Sequence, residues 1–213
     1  MRIRLCLAAL SLVGGAGLTS LSAPAASAAT CSDIDVVAAR GTFEPGTLGA
    51  IVGDPVYAAL QQKLTGRNLS GYKVNYPADL SPTSAAQGNA DLVRHVSGQA
   101  AACPNQRFVL VGYSQGANVV DNSIGVSSDG AVVGSPIVAT LPAAVAPRVA
   151  AVLLFGNPIR ALGKSVTGPY QSRTLDFCAK GDPICENGGG DVLAHLGYTA
   201  DASAAADFAA TKV

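Results

Sequence analysis

The stretch Arg107-Phe-Val-Leu-Val-Gly-Tyr-Ser-Gln-Gly116 decides the fold. Phe108 to Val111 form an apolar run without polar alternation, the mark of a strand buried on both faces. The run passes directly into Gly112-Tyr-Ser-Gln-Gly116, and a helical pattern follows from Gln115 to about Ile124. G-x-S-x-G between a strand and a helix is the setting of a nucleophile elbow. Its glycines remove Cβ atoms where strand and helix converge. The turn then lifts the Ser114 hydroxyl above the sheet edge, over a helix amino terminus that favours developing negative charge. A plain tight turn or a phosphate loop is the alternative, but the sequence contains no G-x-x-x-x-G-K-[ST].

Outward from this junction, strand and helix signals alternate. Ile34–Ala39, Tyr72–Tyr76, Ala150–Phe155 and Arg173–Phe177 read as strands. Leu48 to Leu64, Ser81 or Thr83 to about Cys103, and Asp201 to Thr211 read as helices, the first interrupted by Gly53 and Pro55. Apolar strands separated by helices predict a three-layer α/β/α sandwich with a central, mostly parallel sheet. Chemistry in such sheets lies beyond the carboxyl ends of the strands. The segments to inspect are therefore Arg40 to Glu44, Gly112 to Gly116, Asn157, and the chain from Cys178 onward.

Composition narrows the compartment and the partners. Hydrophobic residues make up 49% of 213, enough for one sizeable core. Fourteen basic residues balance fourteen acidic ones, which argues against a nucleic-acid footprint. Residues 1–29 carry the layout of a secretory signal peptide: Arg2 and Arg4, an apolar run from Leu5 to Leu21, and small residues ending in Ala26-Ser-Ala28. The expectation is cleavage near residues 28 and 29, leaving a single secreted domain over 30–213 with no stable membrane insertion. Cys6 leaves with the signal, and Cys31, Cys103, Cys178 and Cys185 remain. Four cysteines in an oxidising compartment imply two disulfides with three possible connectivities. A local clip between Cys178 and Cys185 is one of them. A zinc site using Cys178, Cys185 and His195 lacks a second cysteine pair.

A serine hydroxyl needs a base, and the chain has two histidines. His95 lies within a helix upstream of Ser114 and reads as a helix-face residue. His195 lies late, in a loop after Gly188-Gly-Gly190. Serine, then acid, then histidine is the chain order of α/β-hydrolases. The acid candidates are Asp176, Asp182, Glu186 and Asp191. Asp176 falls within a strand, and Glu186 and Asp191 read as solvated carboxylates. Asp182, in Gly181-Asp-Pro183, is preferred, with a turn-forming Asp-Pro as the alternative.

Five ordered pieces, Ala39-Arg-Gly-Thr-Phe-Glu44, Gly112-Tyr-Ser-Gln-Gly116, Phe155-Gly-Asn-Pro158, Cys178-Ala-Lys-Gly-Asp-Pro-Ile-Cys185 and His195, resemble the cutinase family, and in particular its secreted actinobacterial members. The resemblance runs from Cys31 to at least Tyr198. It implies a small α/β-hydrolase without a large lid, with Ser114 as nucleophile, His195 as base and Asp182 as acid. It also implies pairing of Cys31 with Cys103 and of Cys178 with Cys185, and an oxyanion hole at Thr42 and Gln115. The segment Gly125 to Pro147 makes the interval from Ser114 to Asp182 longer than in fungal plant-cutin enzymes, which puts cutin itself in question as substrate.

The function expected is hydrolysis of short- to medium-chain carboxylic esters, including cutin-like polyesters or lipids, by a monomer that needs no metal or organic cofactor. Leu80, Ile184, Val192, Leu193 and Leu196 are apolar residues near the expected site that suit an acyl chain, and each could equally be core. An acetyl-ester hydrolase acting on polysaccharide and a catalytically inactive secreted binding protein are the alternatives.

Overall fold

The computed structural model describes residues 31–213; the expected signal peptide lies outside the described residues. Five strands, β1 (Ile34–Ala39), β2 (Leu69–Lys73), β3 (Arg107–Tyr113), β4 (Val149–Phe155) and β5 (Thr174–Phe177), form one parallel sheet. Their order is β2-β1-β3-β4-β5. The chain steps outward from β1 to β2 and then returns to β3, so its direction switches between the carboxyl ends of β1 and β3. That crevice is where ligands bind in open sheets of this kind.

Helices cover both faces. On one, α2 (Ser84–Ala102) packs against α3 (Gln115–Ser123), over Val37, Leu110 and Val152. On the other, α1 (Gly53–Lys63) packs against α5 (Ala202–Ala210), over Val36, Val109 and Leu153. β4 is buried along its whole length, which is why it reads as a continuous apolar run; β1 is equally buried and carries one charged residue, Asp35. The expected disulfides are present, Cys31–Cys103 and Cys178–Cys185. With those sulfurs bonded to each other, the thiolate pair that a zinc site would need does not exist.

Three readings need correction. The first helix begins at Gly53, because the carboxylate of Asp54 accepts from the amides of Thr47 and Leu48 and winds the preceding residues into turns. β2 lies at Leu69–Lys73, earlier than the aromatic alternation suggested. Its pairing with β1 ends at Ala38 opposite Lys73, so Tyr76 leaves the sheet. His195 is not in a loop. It sits on a short helix α4 (Val192–Leu196) whose first amides, at Leu193 and Ala194, are capped by the Asp191 carboxylate.

His95 is more than a helix-face residue. Its Nε2 lies 2.7 Å from Asp35 Oδ2, at the amino end of β1, and its ring stacks on Tyr72 with centroids 3.4 Å apart. Asp35 Oδ1 accepts from Ser70 Oγ at 2.6 Å, and Ser70 contacts Ser32, which in turn accepts from Gln106. This buried polar chain closes the end of the sheet opposite the elbow.

Candidate active site

Ser114 stands between β3 and α3 at φ 54° and ψ −119°, a backbone conformation that side chains other than glycine rarely adopt. Contacts enforce the turn. A Cβ on Gly116 would lie 1.9 Å from the Ala39 carbonyl oxygen, and one on Gly112 would lie 2.7 Å from the Gly116 carbonyl oxygen. Only two glycines allow β1, β3 and α3 to meet here.

His195 Nε2 lies 3.0 Å from Ser114 Oγ, and His195 Nδ1 lies 2.8 Å from Asp182 Oδ2. The hydroxyl, imidazole and carboxylate thus form one continuous hydrogen-bonded line across residues far apart in sequence. Asp182 is fully buried. Its Oδ1 accepts from the Ile184 amide at 2.8 Å, and its Oδ2 also accepts from the Tyr198 hydroxyl at 2.5 Å. The Cys178–Cys185 disulfide closes the loop that carries this acid. The imidazole is held from β3: Tyr113 stacks on the ring, and its hydroxyl donates to the His195 carbonyl oxygen at 2.8 Å. Tyr113 and Tyr198 were not singled out from the sequence. The first occupies the variable position before Ser114, and the second lies three residues after His195, so both were within reach of a reading that asked what holds the base.

Thr42 borders the same cleft, and Gln115 opens α3 directly after Ser114. The amides of a first helical turn have no intrahelical acceptor. The Gln115 side chain is tied elsewhere, donating to Asp79 O at 2.8 Å and accepting from Ser84 Oγ. The loop bearing Thr42 is braced by the Glu44 carboxylate, which accepts from the amides of Gly41 and Ile51, each at 2.6 Å. Burial pushes the Glu44 carboxyl up from its ordinary value, against the downward pull of those backbone donors.

The other acid candidates are not part of this line. Asp191 caps α4, and Glu186 accepts from the Gly181 amide within the disulfide loop. Asp176 faces Asn157 and Arg160. Burial pushes its carboxyl up to about 6, an effect that Arg160 and Asn157 oppose.

The cleft has a volume of about 410 Å³, and Phe43, Leu80, Val132, Val133, Ile184 and Leu196 form its apolar lining. Val192 and Leu193 are exposed on α4 but do not line it. Val132 and Val133 belong to the long segment after α3. Three buried asparagines staple that segment. Asn118 donates to Val132 O, Asn122 donates to Ser135 O and accepts from the Ser128 amide, and Asn89 on α2 accepts from the amides of Val138 and Ala139.

A parallel sheet in this order, with an elbow serine, a late histidine and a carboxylate at the carboxyl ends of its strands, defines the α/β-hydrolase class. The chain belongs to the cutinase family, whose family model matches residues 30–213, and it is a carboxylic ester hydrolase. It is 42% identical over 183 residues to a cutinase of Kineococcus radiotolerans, covering 83% of this chain and 59% of that relative's length. It is 41% identical over 212 residues to carboxylesterase Culp1 of Mycobacterium tuberculosis, covering 92% and 90%. Among solved structures it is similar to Trichoderma reesei cutinase bound to a phosphonate inhibitor, at 35% identity and TM-score 0.67 over 84% of this chain and 75% of that one. An acetyl xylan esterase matches at 25% identity and TM-score 0.74, over 86% and 99%.

Proposed function

We propose that this chain is a secreted serine esterase in which Ser114 attacks an ester carbonyl while His195 accepts its proton and Asp182 fixes the imidazole tautomer and stabilises its cation. The observation that carries this reading is the unbroken line Ser114–His195–Asp182 within an apolar cleft. The tetrahedral oxyanion is held by the backbone amides of Gln115 and Thr42. Loss of one such donor typically costs about 3 kcal/mol of transition-state stabilisation. The alcohol departs with the proton from His195, and water then hydrolyses the acyl-enzyme by the same base. Protonation of His195 stops turnover, because an imidazolium cannot accept the serine proton.

The apolar lining favours short- to medium-chain acyl esters, with cutin-like polyesters and lipids within that class. The near neutrality of the chain gives no electrostatic reason to select phosphate-rich substrates. Export through the segment 1–29 as a signal peptide accords with two disulfides in the fold, which persist in an oxidising compartment. Among the described residues no helix is long and apolar enough to cross a membrane, and the working species is taken as a monomer.

A second reading, an acetyl-ester hydrolase on polysaccharide, draws on the likeness to the acetyl xylan esterase. Rates on p-nitrophenyl esters from acetate to palmitate separate the two. The esterase reading expects a maximum at intermediate length, whereas a collapse beyond acetate would support the deacetylase. Ser114→Ala should abolish turnover with folding retained, and a fluorophosphonate probe should label Ser114. A folded protein that takes no label would instead favour an inactive binding protein.

A further inference from the structure

We infer that Tyr198 is a positioning residue that sets the basicity of His195 through the Asp182 carboxylate. The inference rests on the reading of Ser114, His195 and Asp182 as the hydrolytic line. Asp182 Oδ2 is shared: it accepts the imidazole Nδ1–H at 2.8 Å and the Tyr198 hydroxyl at 2.5 Å. A carboxylate oxygen that already accepts a strong neutral donor carries less charge toward a second one. The phenol therefore weakens Asp182 as a stabiliser of the imidazolium.

The hydroxyl is aimed at this oxygen. Its own oxygen accepts from the Ala179 amide at 2.9 Å, which orients the O–H and polarises it as a donor. Tyr198 is almost fully buried, and its ring packs edge-on against His195, Tyr113 and Phe155. Gly156 leaves space for that packing, since a Cβ there would lie 2.7 Å from His195 Cε1 and 3.0 Å from Tyr198 Cε2. Burial and the neighbouring Asp182 push the phenol up from its ordinary range, so it remains a donor across the working pH range. Tyr198 does not line the cleft beside Ser114, so its hydroxyl reaches the reaction only through Asp182, while its ring contact to His195 is kept in a phenylalanine variant. Tyr113 from β3 also stacks on the imidazole but donates to the His195 backbone and not to the ring, and Glu44 from the loop after β1 lines the same cleft. The hydrogen bonds to Asp182 Oδ2 come from His195 and Tyr198.

The test is the pH dependence of kcat/KM on a soluble p-nitrophenyl ester. Tyr198→Phe removes the donor and keeps the ring. With Asp182 freed, the imidazolium is better stabilised, and the acid limb should move to higher pH by about half a unit or more. Incorporating 3-fluorotyrosine, a more acidic phenol, strengthens the donor and should move the limb to lower pH. The chain has six tyrosines, so the fluorinated form is also prepared in the Tyr198→Phe background, where this downward shift should vanish. If Tyr198→Phe does not fold, 3-fluorotyrosine placed at position 198 alone, by suppression of an amber codon there, decides the sign. An acid limb that stays in place in both forms, or moves in the opposite direction, overturns the inference. Ser114→Ala keeps the two readings separable. Turnover surviving in that variant overturns the hydrolytic assignment itself, whereas a dead Ser114→Ala beside an unmoved Tyr198→Phe limb overturns only the role of Tyr198.

Discussion

Replacing Asp176 by asparagine should stabilise the protein above neutral pH and leave it nearly unchanged in acid. Asp176 on β5 and Asp121 on α3 are neighbouring carboxyls in the interior. Asp121 is fully buried, and burial together with the Asp176 charge pushes its carboxyl well above the ordinary range, against the pull of Asn157. Asp176 titrates at about 6 against an ordinary 3.8. A folded-state value above the unfolded one means that the native state holds its proton more tightly. The resulting stabilisation is complete below pH 4 and is lost as the pH rises through about 6. A shift of roughly two units corresponds to about 3 kcal/mol of penalty for the ionised form at pH 8. Asparagine avoids that penalty and still accepts from Asn157. The partly exposed contact to Arg160 at 3.7 Å opposes the rise and is already contained in that value. The expectation is a gain of about 3 kcal/mol at pH 8 and under about 1 kcal/mol at pH 4. Urea unfolding with disulfides intact measures it, the midpoint rising at pH 8 with the slope unchanged. An Asp176→Asn protein no more stable than the parent at pH 8 would refute the claim that this carboxylate is held at a cost.

Two further substitutions probe opposite ends of the sheet. Gly156→Ala adds a methyl where the His195 ring already stands, at a residue with φ 54°. A displaced imidazole should lower kcat by about 100-fold while far-UV circular dichroism remains native, and a near-native kcat would contradict the geometry. His95→Ala leaves the buried Asp35 carboxylate without its imidazole partner and should cost about 3 to 5 kcal/mol in denaturant titration. Because this pair lies at the amino ends of the strands, kcat/KM of the folded variant should match the parent.

The sheet was legible because its central strands are buried on both faces, and an uninterrupted apolar run such as Val149–Phe155 has few other interpretations. β2 was misplaced because it is an edge strand of mixed exposure, whose extent is set by where β1 stops offering partners. The helix under His195 was missed because five residues carry too little periodicity. Its clue was Asp191, a solvated carboxylate that is also the cap. The elbow announced itself through local spacing, whereas Tyr198 and Asp121 depend on contacts between distant segments that no local pattern encodes. The wall formed by Val132 and Val133 was hidden for the same reason. What pins it is a polar set, Asn118 and Asn122, one turn apart on a helix that is buried all round. Asparagines there, where apolar residues would be expected, were the available sign that something other than a hydrophobic layer lies on that helix.

Both rims of the cleft carry a torsional load. Val133 sits at φ 47° and Phe43 at φ 56°, on the two sides of the opening. A residue other than glycine in that conformation costs on the order of 1 to 3 kcal/mol, which the asparagine staples at Val133 and the Phe43–Ala78 backbone bond at Phe43 must outweigh. The mouth is thus a sprung frame whose width is dictated by the scaffold before any guest arrives. Selection for a different guest has a route here: a glycine at position 133 relaxes that rim and reshapes the aperture while the reacting atoms keep their places.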